Sequence, residues 1–299
     1  MLVVHHADHD GRFGAHIIGR FFKKNGGARY LETNYGKHSV EDILREAHGE
    51  AIVMVDFSMP PEDMVRLWTE TDMLWIDHHI SAIRDIQAAE RKMTKEELSK
   101  VRRVVDPASS GCLLAWKVTH PDPDVEIPEG VRILQEWDHG SMERIPRLTS
   151  YGLESMDTSP GSAAWDLALT EDGLKGIQEE GKPVVRYVDK QLKEWFREYS
   201  YITTLEAGKD TYQVLVLNAP VKHDAFVVVD SVVLDAVDLK AVARRKPDGW
   251  SISIYSDSPG IDCSVIAKTF GGGGHKGAAG FRSKEYPFAP MKEKESENA

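Results

Sequence analysis

Thiols are scarce. Cys112 and Cys263 are the two cysteines among 299 residues, which excludes a disulfide framework and any Cys-x-x-Cys zinc site and makes a reducing cytoplasm the expected home. Long apolar runs are missing too: no stretch of about 18 apolar residues exists to cross a bilayer, so a membrane is not an expected partner. Met1 passes straight into a strand-like run, without the basic region and apolar segment of a signal peptide, and none is expected. Positive charge is also in short supply. A net charge of −11 and a pI near 5.6 argue against coating long nucleic acid, which takes a broad basic surface. A short anionic ligand held by a metal and a few local basic groups stays compatible. No internal repeat and no long low-complexity segment occurs. At this length the prior is two domains of roughly 150 residues each.

What is present is an alternation of short apolar runs with helical periodicity. Leu2 to Ala7, Arg29 to Thr33, Ala51 to Phe57, Met73 to Asp77 and Arg103 to Val105 read as strands. Between and after them, Arg12 to Lys24, Val40 to Ala47, Pro61 to Thr71, Ala88 to Val101, Ser110 to His120 and Glu129 to Trp137 read as helices, the first stopped by Asn25-Gly26-Gly27. Such alternation predicts an α/β domain with a parallel, doubly wound sheet over 1–158. From 159 to 201 the pattern is helical, with Val184, Val185, Val188, Leu192, Trp195, Phe196 and Tyr199 on one face, which predicts a connecting helix. A smaller mixed α/β domain is expected over 202–285, with strands near Tyr212 to Leu217, Ala225 to Val229 and Trp250 to Tyr255 and a helix near Cys263 to Phe270. The last residues, 286–299, are charged and read as a flexible tail.

Several of the early segments end in metal-type donors. Leu2-Val3-Val4 runs into His5-His6-Ala7-Asp8-His9-Asp10-Gly11, Ala51 to Val55 into Asp56, Leu74-Trp75-Ile76 into Asp77-His78-His79, and Val131 to Trp137 into Asp138. Open α/β sheets place their ligands at the carboxyl ends of strands. If the chain stays extended beyond the first strand, His6, Asp8 and Asp10 point the same way. Oxygen and imidazole donors without thiolate suit Mn²⁺ first and Mg²⁺ second. So many carboxylates call for two divalent cations rather than one. Two metals about 4 Å apart can activate a water and clamp an in-line phosphoryl transfer. Asp56, at the end of a central strand, is the candidate to bridge them. A lone Asp after a strand is commonly a helix N-cap; the recurrence of donors at four segment ends favours the metal reading.

Glycine concentrates once, in Gly271-Gly272-Gly273-Gly274-His275-Lys276-Gly277-Ala278-Ala279-Gly280. Glycines let backbone approach an anion and turn successive N–H groups toward it, and His275 and Lys276 add charge. Arg244, Arg245 and Lys246 read as solvated surface.

Together these segments resemble the DHH phosphoesterases carrying the DHH-associated carboxyl-terminal domain, a family that includes RecJ-like exonucleases, nano-RNases and oligoribonucleases, and cyclic-dinucleotide phosphodiesterases. The resemblance spans residues 1–283. It rests on His6 to Gly11, Val55-Asp56, Asp77-His78-His79, Asp138-His139 and the glycine run, in that order. By likeness, His6, Asp8 and Asp56 would hold one metal and Asp10, Asp56, His78 and Asp138 the other, with His5 open as a substitute for His6. His79 would face the scissile phosphate, and Asp77 would orient neighbouring imidazoles. Gly272, Gly273, Gly274, His275 and Lys276 would bind the terminal phosphate or nucleotide across a cleft from the metals. One departure is plain: members often carry Ser-x-Arg-Ser where this chain has Ser253-Ile254-Tyr255-Ser256. Tyr255 can stack a base or donate one hydrogen bond but cannot pair bidentately with phosphate. The implied activity is metal-dependent hydrolysis of short oligonucleotides to nucleoside monophosphates. Alternatives are hydrolysis of cyclic or linear signalling dinucleotides, a 3′-phosphoadenosine 5′-phosphate phosphatase, a nucleotide-binding regulator without catalysis, and a nucleic-acid clamp like that of alanyl-tRNA synthetases. A homodimer stays open.

Overall fold

A computed structural model of the chain describes residues 1–23, 26–141, 143–221 and 223–289. Lys24 and Asn25 of the expected first helix and its stop lie outside the described residues, as do 290–299 of the expected tail. The described part divides into two compact units, Met1–Val185 and Arg186 onward. Among the described residues, no helix is long and apolar enough to cross a membrane.

The first unit is α/β. Strands β1 (Leu2–His6), β2 (Arg29–Thr33), β3 (Ile52–Val55), β4 (Met73–Asp77) and β5 (Arg102–Val105) form one parallel sheet in the order β2-β1-β3-β4-β5. All five carboxyl ends therefore share one edge. The order reverses between β1 and β3, the position where doubly wound sheets open a crevice. Alternate side chains feed two cores. Leu2, Val4, Ile52, Met54, Met73 and Trp75 pack against α2 (Val40–Ala47), α3 (Pro61–Glu70) and α4 (Ile80–Glu90). Val3, Val53, Val55 and Ile76 pack against α1 (His9–Phe22), α6 (Gly111–Thr119) and α7 (Glu129–Asp138). Strands buried on both faces explain the nearly continuous apolar runs. Trp68 and Trp75, both fully buried, meet edge to face at 6.1 Å, each contributing on the order of 2–3 kcal/mol through burial.

The helix expected over Ala88 to Val101 is two elements, α4 and the exposed α5 (Lys95–Lys100). Thr94 accepts from the backbone of Glu97 and Glu97 answers onto Thr94, a capping box that starts a new helix. Helices α8 (Arg144–Leu153), α9 (Ala163–Ala168) and α10 (Glu171–Tyr199) follow.

The second unit is built on a six-stranded mixed sheet in the order β10-β11-β9-β8-β7-β6. Its strands are β6 (Ser200–Ala207), β7 (Asp210–Leu217), β8 (Leu239–Lys246), β9 (Gly249–Tyr255), β10 (Gly273–Gly274) and β11 (Ala278–Ser283). The segment expected as a strand over Ala225 to Val229 is instead a 3₁₀ helix, His223–Val228, followed by the short α11 (Ser231–Asp235). Its β-branched run carries strand propensity, but packing decides such segments: Ala225 and Phe226 are fully buried while Val227 faces outward. Arg244, Arg245 and Lys246 belong to β8, and Arg244 is half-buried with its guanidinium 2.8 Å from Ser253 Oγ, so it is not free surface. The first residues of the expected tail are also fixed, with Phe288 bridged to Leu205 and Ala289 N donating to Thr204 O at 3.1 Å.

The glycine run follows α12 (Cys263–Thr269). Gly271 N donates to Lys268 O at 3.0 Å and Gly272 N to Ala267 O at 2.9 Å. This pair, with Gly271 at φ 75°, is a Schellman cap. A Cβ at Gly272 would sit 2.1 Å from Gly280 O. His275 N donates to Ala278 O at 2.7 Å. The expected row of outward N–H groups is thus partly satisfied within the unit: those of Gly271, Gly272 and His275 end a helix and close a β-turn.

Candidate metal centre

The carboxyl edge of the first sheet collects the donors. β1 ends at His6, and the chain then leaves the extended conformation. Asp8 caps α1, accepting from Gly11 N at 2.9 Å, and Asp10 lies in the helix's first turn. The period-two continuation expected through Asp10 therefore does not hold, because the Asp8 cap turns the backbone into a helix. A Cβ at Gly11 would fall 2.6 Å from His6 O, so only glycine lets the helix start this close to the strand. His6 Nδ1 contacts Asp8 Oδ2 directly and lies 3.7 Å from Asp56 Oδ2. His5 points elsewhere, its Nδ1 donating to His6 O at 2.8 Å. The structure thus gathers His6, and not His5, with Asp8 and Asp56.

Asp56 follows β3 directly and is 1 % exposed. It is no helix cap, since the next helix, α3, is capped by Pro60. Its φ of 55° is left-handed, a conformation Asp and Asn tolerate better than other side-chain-bearing residues. Trp75 Nε1, donating to Phe57 O at 3.0 Å, pins the next residue. Asp56 Oδ1 is 3.0 Å from His78 Nε2 and 3.7 Å from His79 Nδ1, whereas Oδ2 is buried and makes no hydrogen bond.

Asp77 is fully buried at the end of β4, and its Oδ1 accepts from His78 N at 2.7 Å, His79 N at 3.1 Å and His79 Nδ1 at 2.7 Å. This one oxygen fixes the turn and the ring of His79. His78 Nε2 faces Asp138 Oδ2 at 3.4 Å and Asp10 Oδ2 at 3.8 Å as well as Asp56. Asp138 is the last residue of α7, and its Oδ2 is buried without a hydrogen bond.

Asp10 is held from the other side by the amino terminus of α6, accepting from Gly111 N at 2.5 Å and Cys112 N at 2.9 Å. That helix end favours a carboxylate. A Cβ at Gly111 would lie 2.6 Å from Asp56 Cβ and 2.8 Å from Asp10 Oδ2. Gly111 was not foreseen, and its only sequence signal is Ser110, the N-cap whose hydroxyl accepts from Leu113 N. Gly111→Ala is expected to displace both carboxylates, weakening Mn²⁺ binding about tenfold or more and destabilising the fold by about 1–3 kcal/mol through overpacking. Metal titration beside thermal denaturation checks this; unchanged affinity would remove Gly111 from the site.

The electrostatics are those of a cluster short of positive charge. Burial, then the Asp56 carboxylate, pushes Asp10 up to about 6. Burial, with Asp10 and Asp56 adding, holds Asp138 well above the carboxylate range. Burial alone would lower His6, but Asp8 and Asp56 override it and raise the imidazole to about 12. His78 is likewise driven up, against burial, by Asp138 and Asp56. His79 is raised by Asp77 against its burial.

The donor atoms fit cations. His6, Asp8 and Asp56 offer ligand atoms within 4.8 Å of one another; so do Asp56, Asp77, His78 and His79, and so do His78, Asp138 and His139. Asp56 belongs to two of these sets. The orphaned Oδ2 atoms of Asp56 and Asp138 are what a bound cation would satisfy. In the second unit, Tyr255 lies on β9 with its ring centroid 6.1 Å from Phe226, and burial raises its phenol. His275 and Lys276 occupy the turn between β10 and β11, where Lys276 O accepts from Cys263 N at 2.8 Å.

No family model and no curated protein matches the sequence. Solved structures do match the fold. The DHH domain of a member of the s1p family of ribosomal proteins superposes with a TM-score of 0.58 at 14 % identity, over 94 % of this chain and 82 % of that one. The chain has the DHH-domain fold. The same fold relates it to PggH, a pGpG-specific phosphodiesterase from Vibrio cholerae (TM-score 0.51, 11 % identity, 94 % of this chain and 92 % of that one). An exopolyphosphatase-related protein from Bacteroides fragilis shares it as well (TM-score 0.50, 14 % identity, 94 % and 85 %). In this DHH fold the signature Asp77-His78-His79 ends β4 and faces Asp56 at the switch point of the sheet.

Proposed function

We propose that the protein is a two-metal phosphodiesterase that hydrolyses short oligonucleotides to nucleoside monophosphates. The observation that carries this reading is Asp56, one buried carboxylate shared by the His6–Asp8 donor set and the His78–His79 set. A pair of divalent cations, Mn²⁺ or Mg²⁺, supplies Lewis acidity that activates water at neutral pH and neutralises phosphoryl oxygens. His6, Asp8 and Asp56 would hold one ion, and Asp10, Asp56, His78 and Asp138 the other. His79, oriented by Asp77, would donate a proton to a phosphoryl or leaving oxygen. Asp10, locked by the α6 amides, keeps its place whether or not it carries a proton. In the second unit Gly272, Gly273, Gly274, His275, Lys276 and Tyr255 would bind a phosphate or nucleotide of the substrate, with the side chains of His275 and Lys276 as its polar partners.

Incubation of the protein with di- to pentanucleotides and Mn²⁺ should yield monophosphates, and EDTA should stop the reaction; no turnover by the metal-loaded wild type would sink the proposal. His275→Ala is expected to raise KM about tenfold with kcat little changed, the signature of lost uniform binding. Steady-state kinetics on a pentanucleotide reads the split, and an unaltered KM would free the loop from substrate. A second reading, hydrolysis of a linear signalling dinucleotide, draws support from the PggH neighbour. Including pGpG in the substrate panel separates the two.

A further inference from the structure

Helix α7 ends on two consecutive donors, Asp138 and its C-cap His139, and the second has no part in the two-metal set given above. The helix end is fixed. Trp137 is buried and meets Tyr151 edge to face at 6.2 Å, His139 N donates to Gln135 O at 3.0 Å, and Gly140 N donates to Trp137 O at 3.0 Å. Gly140, at φ 85°, takes the left-handed turn that ends the helix. His139 stays before that turn, with φ −75° and ψ 8°.

The imidazole of His139 lies beside that of His78, with ring centroids 6.0 Å apart and planes inclined by 32°. His78, Asp138 and His139 each offer a ligand atom, and the three atoms lie within 4.8 Å of one another. A histidine at a helix carboxyl end can serve the helix dipole alone. That role asks for charge and not for a place next to a second imidazole. Packing does not account for the placement either, since His139 is exposed whereas His78 is fully buried. Two orphaned oxygens call for a cation at this point: Oδ2 of Asp138, the neighbour of His139 in the chain, and Oδ2 of Asp56, a residue 1 % exposed that touches the same His78.

The consequence is chemical. Asp10, Asp56, His78 and Asp138 make three carboxylates and one imidazole, an oxygen-rich set on which Mg²⁺ competes well. A second imidazole changes the balance. Mg²⁺ prefers oxygen and gives up water reluctantly, whereas Co²⁺ and, to a smaller degree, Mn²⁺ gain from nitrogen donors.

We infer that His139 is a further ligand of the ion held by His78 and Asp138, and that it gives this site a preference for transition ions over Mg²⁺. The inference rests on the two-metal reading and adds to it one donor and an ion preference. It also sets the two sites apart, since the His6–Asp8–Asp56 set holds a single imidazole.

Co²⁺ is the probe, because its visible absorption reports the ligands around it whether or not any substrate is turned over. Titrating the metal-free full chain with Co²⁺ should fill two sites. His139→Ala should weaken one of them about tenfold and shift its absorption, while Mg²⁺ affinity changes less than about twofold and the melting curve stays that of the wild type. Free imidazole should restore the wild-type spectrum to His139→Ala, a rescue that a merely structural role would not show. Wild-type Co²⁺ affinity and spectrum in His139→Ala, equal losses for Co²⁺ and Mg²⁺, or a changed spectrum that imidazole leaves unaltered would overturn the assignment. Failure of the wild type to bind Co²⁺ would overturn the two-metal reading together with it, whereas two filled sites that both ignore His139→Ala would overturn the ligand role of His139 alone.

Discussion

Asp56→Asn is expected to remove turnover of short oligonucleotides by about a thousandfold or more, because a carboxylate that serves two cations supplies several kcal/mol of charge stabilisation that a neutral amide cannot. Asparagine is the informative replacement. It accepts the left-handed backbone at φ 55° as readily as aspartate does, so the turn after β3 survives, and its amide has nearly the same shape. The contact of Oδ1 with His78 Nε2 at 3.0 Å can persist as a neutral hydrogen bond. What disappears is the negative charge between His6 and His78. With that charge gone, Asp10 is relieved of a like-charged neighbour while the imidazoliums of His6 and His78 lose a counter-charge, so the melting temperature of the metal-free fold should move by no more than a few degrees. Stability and activity should therefore part company. Steady-state kinetics beside circular dichroism melts reads both, and a variant within tenfold of wild-type kcat/KM would end the bridging role.

The sequence made the layout of the first unit legible for physical reasons that hold in detail. Apolar runs buried on both faces gave β1, β3 and β4, and the abrupt change to Asp and His at their ends marked the carboxyl edge where the structure collects His6, Asp8, Asp56 and His78. Two things were not legible. One was conformation at single residues: nothing in composition says that Asp8 turns the chain into α1, or that Asp56 sits at positive φ. The other was contact between distant segments. Gly111 matters because a Cβ there would lie 2.6 Å from Asp56 Cβ, and no local pattern reports that. In the second unit the signals conflicted. Val227-Val228-Val229 carries strand propensity, yet its first two residues end a 3₁₀ helix, since burial of Ala225 and Phe226 outweighs it. The glycine run was read for anion chemistry, whereas Gly271 and Gly272 end α12 by the ordinary means helices use.

Binding of Mn²⁺ should release protons and strengthen steeply with pH. In the metal-free cluster His6 is held protonated to about 12 and His78 is also driven up, both by the carboxylates around them. An imidazolium has no lone pair to give, so each ion that takes such a ligand expels a proton. Asp10, raised to about 6, adds another below that pH. Titrating Mn²⁺ at pH 7 in two buffers of different ionisation enthalpy should show at least about one proton released per ion, and the apparent Kd should fall about tenfold per pH unit between 6 and 8 for each proton displaced. The same groups set the sign for stability. Asp10 has its folded pKa raised from 3.8, so the metal-free fold loses stability as pH rises from about 4 to about 6, while the unfolded carboxyl ionises and the buried one cannot. His6, raised from 6.5, stabilises fully below 6.5, and that contribution drains away as pH climbs toward 12. Asp8, depressed from 3.8 by His6 despite its burial, works in the opposite sense, its stabilisation being lost only as pH falls below that value. From about pH 4 upward the metal-free protein should therefore melt at progressively lower temperature, and saturating Mn²⁺ should remove most of that slope by replacing the protons with fixed positive charge. A flat Kd across this range, with no buffer-dependent heat, would mean that the imidazoles do not meet the ion.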